Sequence, residues 1–136
     1  MRQWIELSAF DNVDLEDSFV ISWKFTGDSL VIDLGASIWP GHNYYETPKD
    51  DEFSCFKKGR LVFRYISELK GLLSMEEVEP SSPLVNDIPN YNTIETFEIA
   101  KKHKMHIVGS FGDVTFSAEE WTFNVAKKLL KDDYKL

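Results

Sequence analysis

The sequence predicts a mainly β protein, organised as a single-domain antiparallel β-sandwich or barrel-like sheet of about eight strands with two long loops. Several short segments alternate apolar and polar residues, which is typical of strands with one buried face. Turn-forming residues separate these segments about every 8–12 positions, and no segment has the sustained period of a long helix. The 136 residues, 43% of them hydrophobic, suit one domain spanning 1–136 with a substantial core.

The first two strands are predicted to form a hairpin. Residues 18–25 and 30–39 are separated by Thr-Gly-Asp-Ser at 26–29, which is a turn sequence. Apolar residues of the first segment recur at every second position, so we expect one face of that strand to carry four of them: Phe19, Ile21, Trp23 and Phe25.

The next part of the chain is predicted to be a long loop followed by a second strand pair. Proline, glycine and acidic residues with no sustained period mark the loop at 40–54. A strand at 55–56, a Lys-Lys-Gly turn at 57–59 and a strand at 60–66 then follow. A second irregular stretch spans 76–93, and loops of this length in a compact domain are usually functional or disordered.

Strands return in the last third of the chain, at 94–101, 105–110 and 114–117. The segment 118–130 permits two interpretations. A Ser-Ala-Glu-Glu sequence fits a helix capping box and is followed by apolar residues at helical spacing, whereas aromatic and β-branched residues alternate over 121–125 as in a strand. The hairpins that precede this segment favour the strand, which we predict.

The charge of the chain restricts the partners that it can have. Fifteen basic and 23 acidic side chains give a net charge of −8. A general nucleic-acid binder gains affinity by neutralising phosphates, and docking on anionic lipid needs basic residues, so neither class of partner is expected. Residues 1–56 alone carry 11 acidic and 3 basic side chains, whereas residues 57–75 have a net charge of +4.

Cysteine content and hydropathy indicate the compartment. Cys55 is the single cysteine, so an intrachain disulfide framework is excluded. No apolar run approaches the roughly 18 residues that a membrane span needs, and the first residues lack the apolar core of a signal peptide. We therefore expect a cytoplasmic protein.

Residues 39–52 are the predicted partner-binding surface. Two prolines restrict this loop, large aromatic rings supply rigid contact area for a protein or a sugar ring, and exposed carboxylates steer association. The predicted contact residues are Trp39, His42, Tyr44, Tyr45, Glu46, Asp50, Asp51 and Glu52. The alternative is a cover loop, in which Trp39 and Tyr45 close the end of the sheet and His42 bonds a backbone carbonyl.

No grouping of residues predicts a catalytic centre or a metal site. His103 and His106 are separated by an odd offset, which sends strand side chains to opposite faces. Prolines around His42 prevent the helix that a His-x-x-x-Glu metal site requires. Cys55, at the start of a strand, is typical of a small buried hydrophobe. We therefore expect no enzymatic activity, no cofactor and no metal.

Two segments carry a family resemblance, together with the hairpin that precedes them: Trp-Pro-Gly-His-Asn-Tyr-Tyr at 39–45 and Cys-Phe-Lys-Lys-Gly-Arg-Leu-Val-Phe at 55–63. Across residues 15–125 the chain resembles a group of small, poorly characterised bacterial β-rich proteins, some of which resemble immunity proteins of polymorphic toxin systems. The resemblance implies a protein-binding function and supplies no catalytic residues. An acidic inhibitor would be steered to a basic toxin nuclease, which agrees with the net charge.

The expected function is therefore a non-enzymatic protein-interaction domain, of which an immunity-type inhibitor of a toxin is the specific form. The alternative is a β-sandwich that binds a small molecule or carbohydrate and uses Trp39, Tyr44 and Tyr45 as stacking platforms. A hydrolase of unrecognised type is a third interpretation. A concave pocket beside Trp39 would favour the ligand-binding alternative, whereas a flat exposed patch would favour protein binding.

Overall fold

The computed structural model describes residues 2–48, 54–81 and 88–129. It confirms the mainly β, antiparallel prediction, because the strands of the described residues pair into one sheet and their other regular elements are short 3₁₀ turns. No helix in this part of the chain is long and apolar enough to cross a membrane. The strands found there are β1 (Arg2–Gln3), β2 (Val13–Thr26), β3 (Ser29–Ile38), β4 (Cys55–Lys70), β5 (Thr96–Ala100), β6 (Lys104–Gly109) and β7 (Gly112–Leu129).

Two three-stranded meanders build the sheet. Strands β2, β3 and β4 pair in sequence, as do β5, β6 and β7, and β4 pairs with β7 where the two meanders meet. Strand β1 adds to β5, so the order is β1-β5-β6-β7-β4-β3-β2 with every pair antiparallel. The predicted hairpin of the first two long strands is confirmed, and Gly27 supplies the positive φ of 64° that its tight turn requires.

Strand β4 is continuous, so the predicted turn at 57–59 is wrong. Lys57 and Gly59 lie inside the strand, opposite Ala36 and Leu34 of β3. The Lys-Lys-Gly composition favours a turn, but the neighbouring strand pairs without interruption through it. Gly59 has a packing role instead, because a Cβ at this position would lie 3.0 Å from the Phe123 ring.

Strand β2 contains a bulge that overturns the predicted placement of its four apolar residues on one face. Val20 pairs with Leu34 of β3, but the next pair joins Ser22 to Asp33, so β2 has one extra residue at this point. Such an insertion reverses the alternation of the side chains that follow. Val20 and Trp23, three positions apart, therefore both lie in the main core.

The outer face of the sheet carries a second, smaller apolar cluster. Phe19 and Ile21 point to this face, away from the main core, and pack with Ile88 and Phe56. The Phe19 and Phe56 rings meet edge to face with their centroids 5.4 Å apart. Because Ile88 comes from the second irregular stretch, which folds back over β2, alternation within the strand alone could not reveal this cluster.

Strand β7 extends to Leu129, so the strand interpretation is confirmed for the described part of 118–130. Trp121 and Phe123 pair with Phe63 and Leu61 of β4 and face the main core. The capping-box sequence at the start of this segment lies in the strand, because cross-strand pairing to β4 fixes its backbone. Tertiary pairing thus overrides the local helix signal.

Two connecting segments close the gap between the edge strand β2 and the second meander. The Leu73 carbonyl accepts a hydrogen bond of 2.7 Å from Trp23 Nε1, and the Leu73 amide donates to the Phe111 carbonyl at 2.8 Å. Residues 91–95 bond to Val20 at one end and to β6 at the other. The sheet therefore has two edges but a barrel-like, enclosed core.

An aromatic cluster fills that core beneath the N-terminal segment. The 3₁₀ turn Ser8–Phe10 places Phe10 on the inner face of the sheet, where it is almost fully buried. Its ring centroid lies 4.7 Å from that of Phe123, 5.7 Å from that of Phe97 and 6.0 Å from that of Trp121. Phe10 thus joins β5 and β7, the two outer strands of the second meander.

Replacing Phe10 should destabilise the protein severely. We expect Phe10→Ala to lower the free energy of unfolding by about 3–5 kcal/mol, because it removes a buried ring and leaves a cavity in the main core beside β5 and β7. Ile5→Ala is the matched control, since Ile5 is 68% exposed in the same N-terminal segment and its loss should change stability by less than about 0.5 kcal/mol. Urea unfolding of both variants measures this, and equal midpoints would contradict the role of Phe10.

Candidate interaction surface

The predicted recognition loop connects β3 to β4 at one end of the sheet. Residues 39–48 of this loop are described, whereas Asp50, Asp51 and Glu52 lie outside the described residues. The end of β3 and the start of β4 remain paired, with Ile38 opposite Cys55, so both ends of the loop are fixed by the sheet.

Backbone hydrogen bonds hold the loop in a defined conformation. The Trp39 amide donates to the Asn12 carbonyl at 2.9 Å, which ties the loop to the residue before β2. The His42 amide donates to the Trp39 carbonyl at 2.9 Å, and the Tyr45 amide donates to the His42 carbonyl at 3.1 Å, so two turns follow one another. Gly41 permits close packing here, because a Cβ would lie 2.7 Å from Asn12 Oδ1.

A buried lysine anchors the loop to the core. Lys57 is 1% exposed and shares the inner face of β4 with apolar residues. Its Nζ donates to Glu46 Oε2 at 2.5 Å and to the Lys127 carbonyl of β7 at 2.9 Å. A buried ammonium needs such partners, since an uncompensated charge in the core is strongly unfavourable. Glu46 was predicted as a steering charge, but its carboxylate holds the loop to Lys57.

Two of the predicted contact aromatics are exposed, and the third is partly buried. Trp39 is 42% exposed and Tyr44 is 37% exposed, although both are large aromatic residues. Tyr45 is partly buried and packs against the main core. The cover-loop interpretation therefore describes Tyr45, whereas Trp39 leaves a large part of its ring in solvent.

His42 links the loop backbone to the exposed aromatic pair. Its Nδ1 accepts a hydrogen bond of 3.0 Å from the Tyr44 amide, and the rings of His42 and Tyr44 lie 5.5 Å apart. The cover-loop interpretation had His42 bonding a carbonyl, but the ring accepts rather than donates. Partial burial lowers the pKa of His42, and the nearby Lys57 ammonium lowers it further. The neutral imidazole is thus the form that fits this site.

The loop is bordered by a group of acidic residues that were not among the predicted contact residues. They lie at the start of β2 and in the turn before it: Asp11, Asp14, Glu16 and Asp17. Antiparallel pairing of β2 with β3 brings this stretch beside the loop. Hydrogen bonding and repulsion from Asp14 raise the pKa of Asp17 above its usual value, which reflects crowded like charges. The strongly acidic balance of residues 1–56 was the available sequence signal.

Other polar features lie away from this loop. A cleft of about 810 Å³ is lined on one side by β2 and β3 and on the other by residues 72–76. Elsewhere, His106 Nε2 lies 2.7 Å from Asp113 Oδ1 on the outer face of β6 and β7. In the described ranges, no three His, Cys, Asp or Glu side chains are grouped so that they could hold a metal ion.

Comparison of the whole chain with known proteins identifies no family. No protein-family model matches the chain, no curated protein matches it, and no solved structure matches it.

Removing Glu46 should destabilise the protein more than removing Lys57. The Lys57 ammonium donates to Glu46 and to the Lys127 carbonyl, and Glu46→Ala removes the first of these acceptors. We expect this loss to lower the free energy of unfolding by about 2 kcal/mol, because the ammonium stays buried without its counter-charge. Lys57→Met removes the charge, keeps an apolar stem and returns an exposed carboxylate to water, so its cost should be smaller. Urea unfolding of each variant gives the comparison.

A double variant and a matched control complete this test. Lys57→Met combined with Glu46→Ala should be about as stable as Lys57→Met alone, because no buried charge remains to lose its partner. Glu119→Ala, which removes an exposed carboxylate from β7, should have little effect. A Glu46→Ala protein as stable as the wild type would show that the ion pair does not hold the loop.

Proposed function

We propose that this protein is a non-enzymatic protein-interaction domain, in its specific form an immunity-type inhibitor of a toxin, and that residues 39–48 form its contact surface. The observation that carries the proposal is the exposure of Trp39 and Tyr44 on a loop that is fixed by hydrogen bonds and by a buried ion pair. Aromatic residues usually dominate the affinity of protein interfaces, especially near their centre.

The fixed conformation of the loop favours recognition. A flexible loop loses conformational entropy when it binds, and each ordered side chain costs about 0.5–1.5 kcal/mol. In this protein the Asn12 and Glu46 contacts already order the backbone on both sides of Tyr44. The contacts made by Trp39 and Tyr44 would therefore contribute more fully to affinity, because little of their binding energy would be offset by the cost of ordering the loop.

The surrounding charge indicates a basic partner. Carboxylates at the start of β2 flank the loop, and the chain as a whole has a net charge of −8. Complementary charges raise the rate of encounter and disfavour partners of the same sign. We therefore expect the association rate to fall as ionic strength rises, because exposed charges are screened over about 8 Å at physiological salt.

A carbohydrate-binding function would use the same exposed rings. It would need a concave site beside them, since sugar-sized ligands bind mainly in clefts. The cleft of about 810 Å³ is lined by other residues, from β2, β3 and the 72–76 segment. Tyr45, the third proposed stacking platform, packs against the core instead. Protein binding is therefore the better-supported use of the loop.

Tyr44→Ala should weaken partner binding without unfolding the protein. The partner to test first is the purified product of the adjacent gene, assayed by surface plasmon resonance against the full chain. If Tyr44 is an interface anchor, its loss should cost about 2 kcal/mol, or about 30-fold in the dissociation constant, mainly through faster dissociation.

An exposed aromatic outside the loop provides the control. Tyr65 is 51% exposed within β4, so Tyr65→Ala should leave the dissociation constant unchanged. Wild-type kinetics in a folded Tyr44→Ala variant would place the contact surface elsewhere. Binding of free oligosaccharides that is lost in the same variant would instead support the carbohydrate-binding alternative.

A further inference from the structure

The hydrogen bond between His42 and Tyr44 can exist in only one protonation state of the imidazole. Nδ1 of His42 accepts the Tyr44 amide proton at 3.0 Å, which requires an unprotonated Nδ1. When the ring binds a second proton, both nitrogens become donors and this bond is lost. The Tyr44 amide and the new imidazole proton would then point at each other.

The buried Lys57 ammonium opposes the protonated ring of His42. From β4, the buried Lys57 ammonium contributes a positive charge, and the Glu46 carboxylate of the loop is already bound to Lys57 at 2.5 Å. From the turn before β2, the Asn12 side chain that packs on Gly41 is neutral, whereas the carboxylates of Asp11, Asp14, Glu16 and Asp17 border the loop in the same stretch. Because partial burial and the Lys57 ammonium both disfavour the charged ring, proton uptake favours a loop that has moved away from Lys57.

We propose that His42 is a proton-operated latch, whose protonation releases residues 39–46 and rearranges the Trp39 and Tyr44 surface in mildly acidic solution. The latch is a regulatory property of the loop and rests on the proposed function only for its effect on partner binding. Acidification should loosen the exposed aromatic pair while the sheet stays folded, because the contacts that change lie within the loop and at Lys57.

The direction of the pH effect follows from the lowered pKa of His42 in the closed loop. Above about pH 6.5, the usual pKa, the ring is neutral in both the closed and the released loop, so the closed form has its full stability. As the pH falls below that value, the released loop binds the proton first and is favoured. The effect levels off once the pH is below the pKa of the closed form.

The test follows the Tyr44 amide and the Trp39 indole of the uniformly ¹⁵N-labelled full chain by NMR between pH 7.5 and 4.5. The Tyr44 amide signal should shift with the same midpoint as the His42 ring signals. The hydrogen-exchange rate of the Tyr44 amide, corrected for its intrinsic pH dependence, should rise as the pH falls. The total increase should be about tenfold for each pH unit by which the pKa of His42 in the closed loop lies below 6.5. A His42 ring that titrates while Tyr44 and Trp39 stay unchanged would overturn the proposal.

His42→Asn isolates the titrating group. The asparagine oxygen can accept the amide proton two residues ahead, as in an Asx turn, but it does not titrate in this range. The variant should keep Tyr44 protected at every pH, whereas the control His103→Asn should behave as the wild type. A loop transition that survives in His42→Asn would assign the change to another group and contradict the latch.

Binding kinetics separate failure of the latch from failure of the proposed function. The NMR test needs no partner, so a pH-dependent loop in a protein that binds no adjacent gene product would retain the latch and refute the contact surface. With a binding partner in hand, wild-type affinity should fall at pH 5 relative to pH 7.5, and His42→Asn should reduce that difference. An affinity difference between the two pH values that is equal in the wild type and in His42→Asn would show that the latch does not control binding.

Discussion

The pairing of β4 with β7 is the interaction on which the rest of the structure depends. It joins two meanders that could not otherwise share a core, and it places Phe63 beside Trp121 under the ring of Phe10. The same pairing brings the end of β7 next to Lys57, so that a strand carbonyl becomes an acceptor for the lysine. The fold and the loop anchor therefore have a common origin.

Lys57 connects that core to the surface. Its ammonium is buried because β4 continues through a sequence that looks like a turn, and this burial requires a counter-charge. Glu46 supplies the counter-charge from the loop, which fixes the chain around Tyr44. A buried charge, costly in itself, thus defines the position of the loop. Exposed aromatic residues on a fixed loop are the physical basis of the proposed recognition function.

The sequence predicted the architecture better than the details of the loop. Period-two patterns and turn residues identified the antiparallel class and the first hairpin, and they identified Trp39 and Tyr44 as unusual aromatics. The bulge at Ile21 was not predicted, because one inserted residue reverses the side-chain alternation of a strand without changing its composition. The position of Lys57 in the core was not predicted because its environment is created by residues from β3, β7 and the loop, which come together only in the fold.

Hydrogen exchange of the wild-type protein at neutral pH tests most directly the central claim, that the loop is ordered in the free protein. The amides of His42 and Tyr45 are hydrogen-bonded within the loop, and that of Trp39 is bonded to Asn12. The account predicts that all three exchange at least about 100-fold more slowly than an unstructured peptide. Exchange at peptide rates, with the amides of β3 still protected, would contradict it.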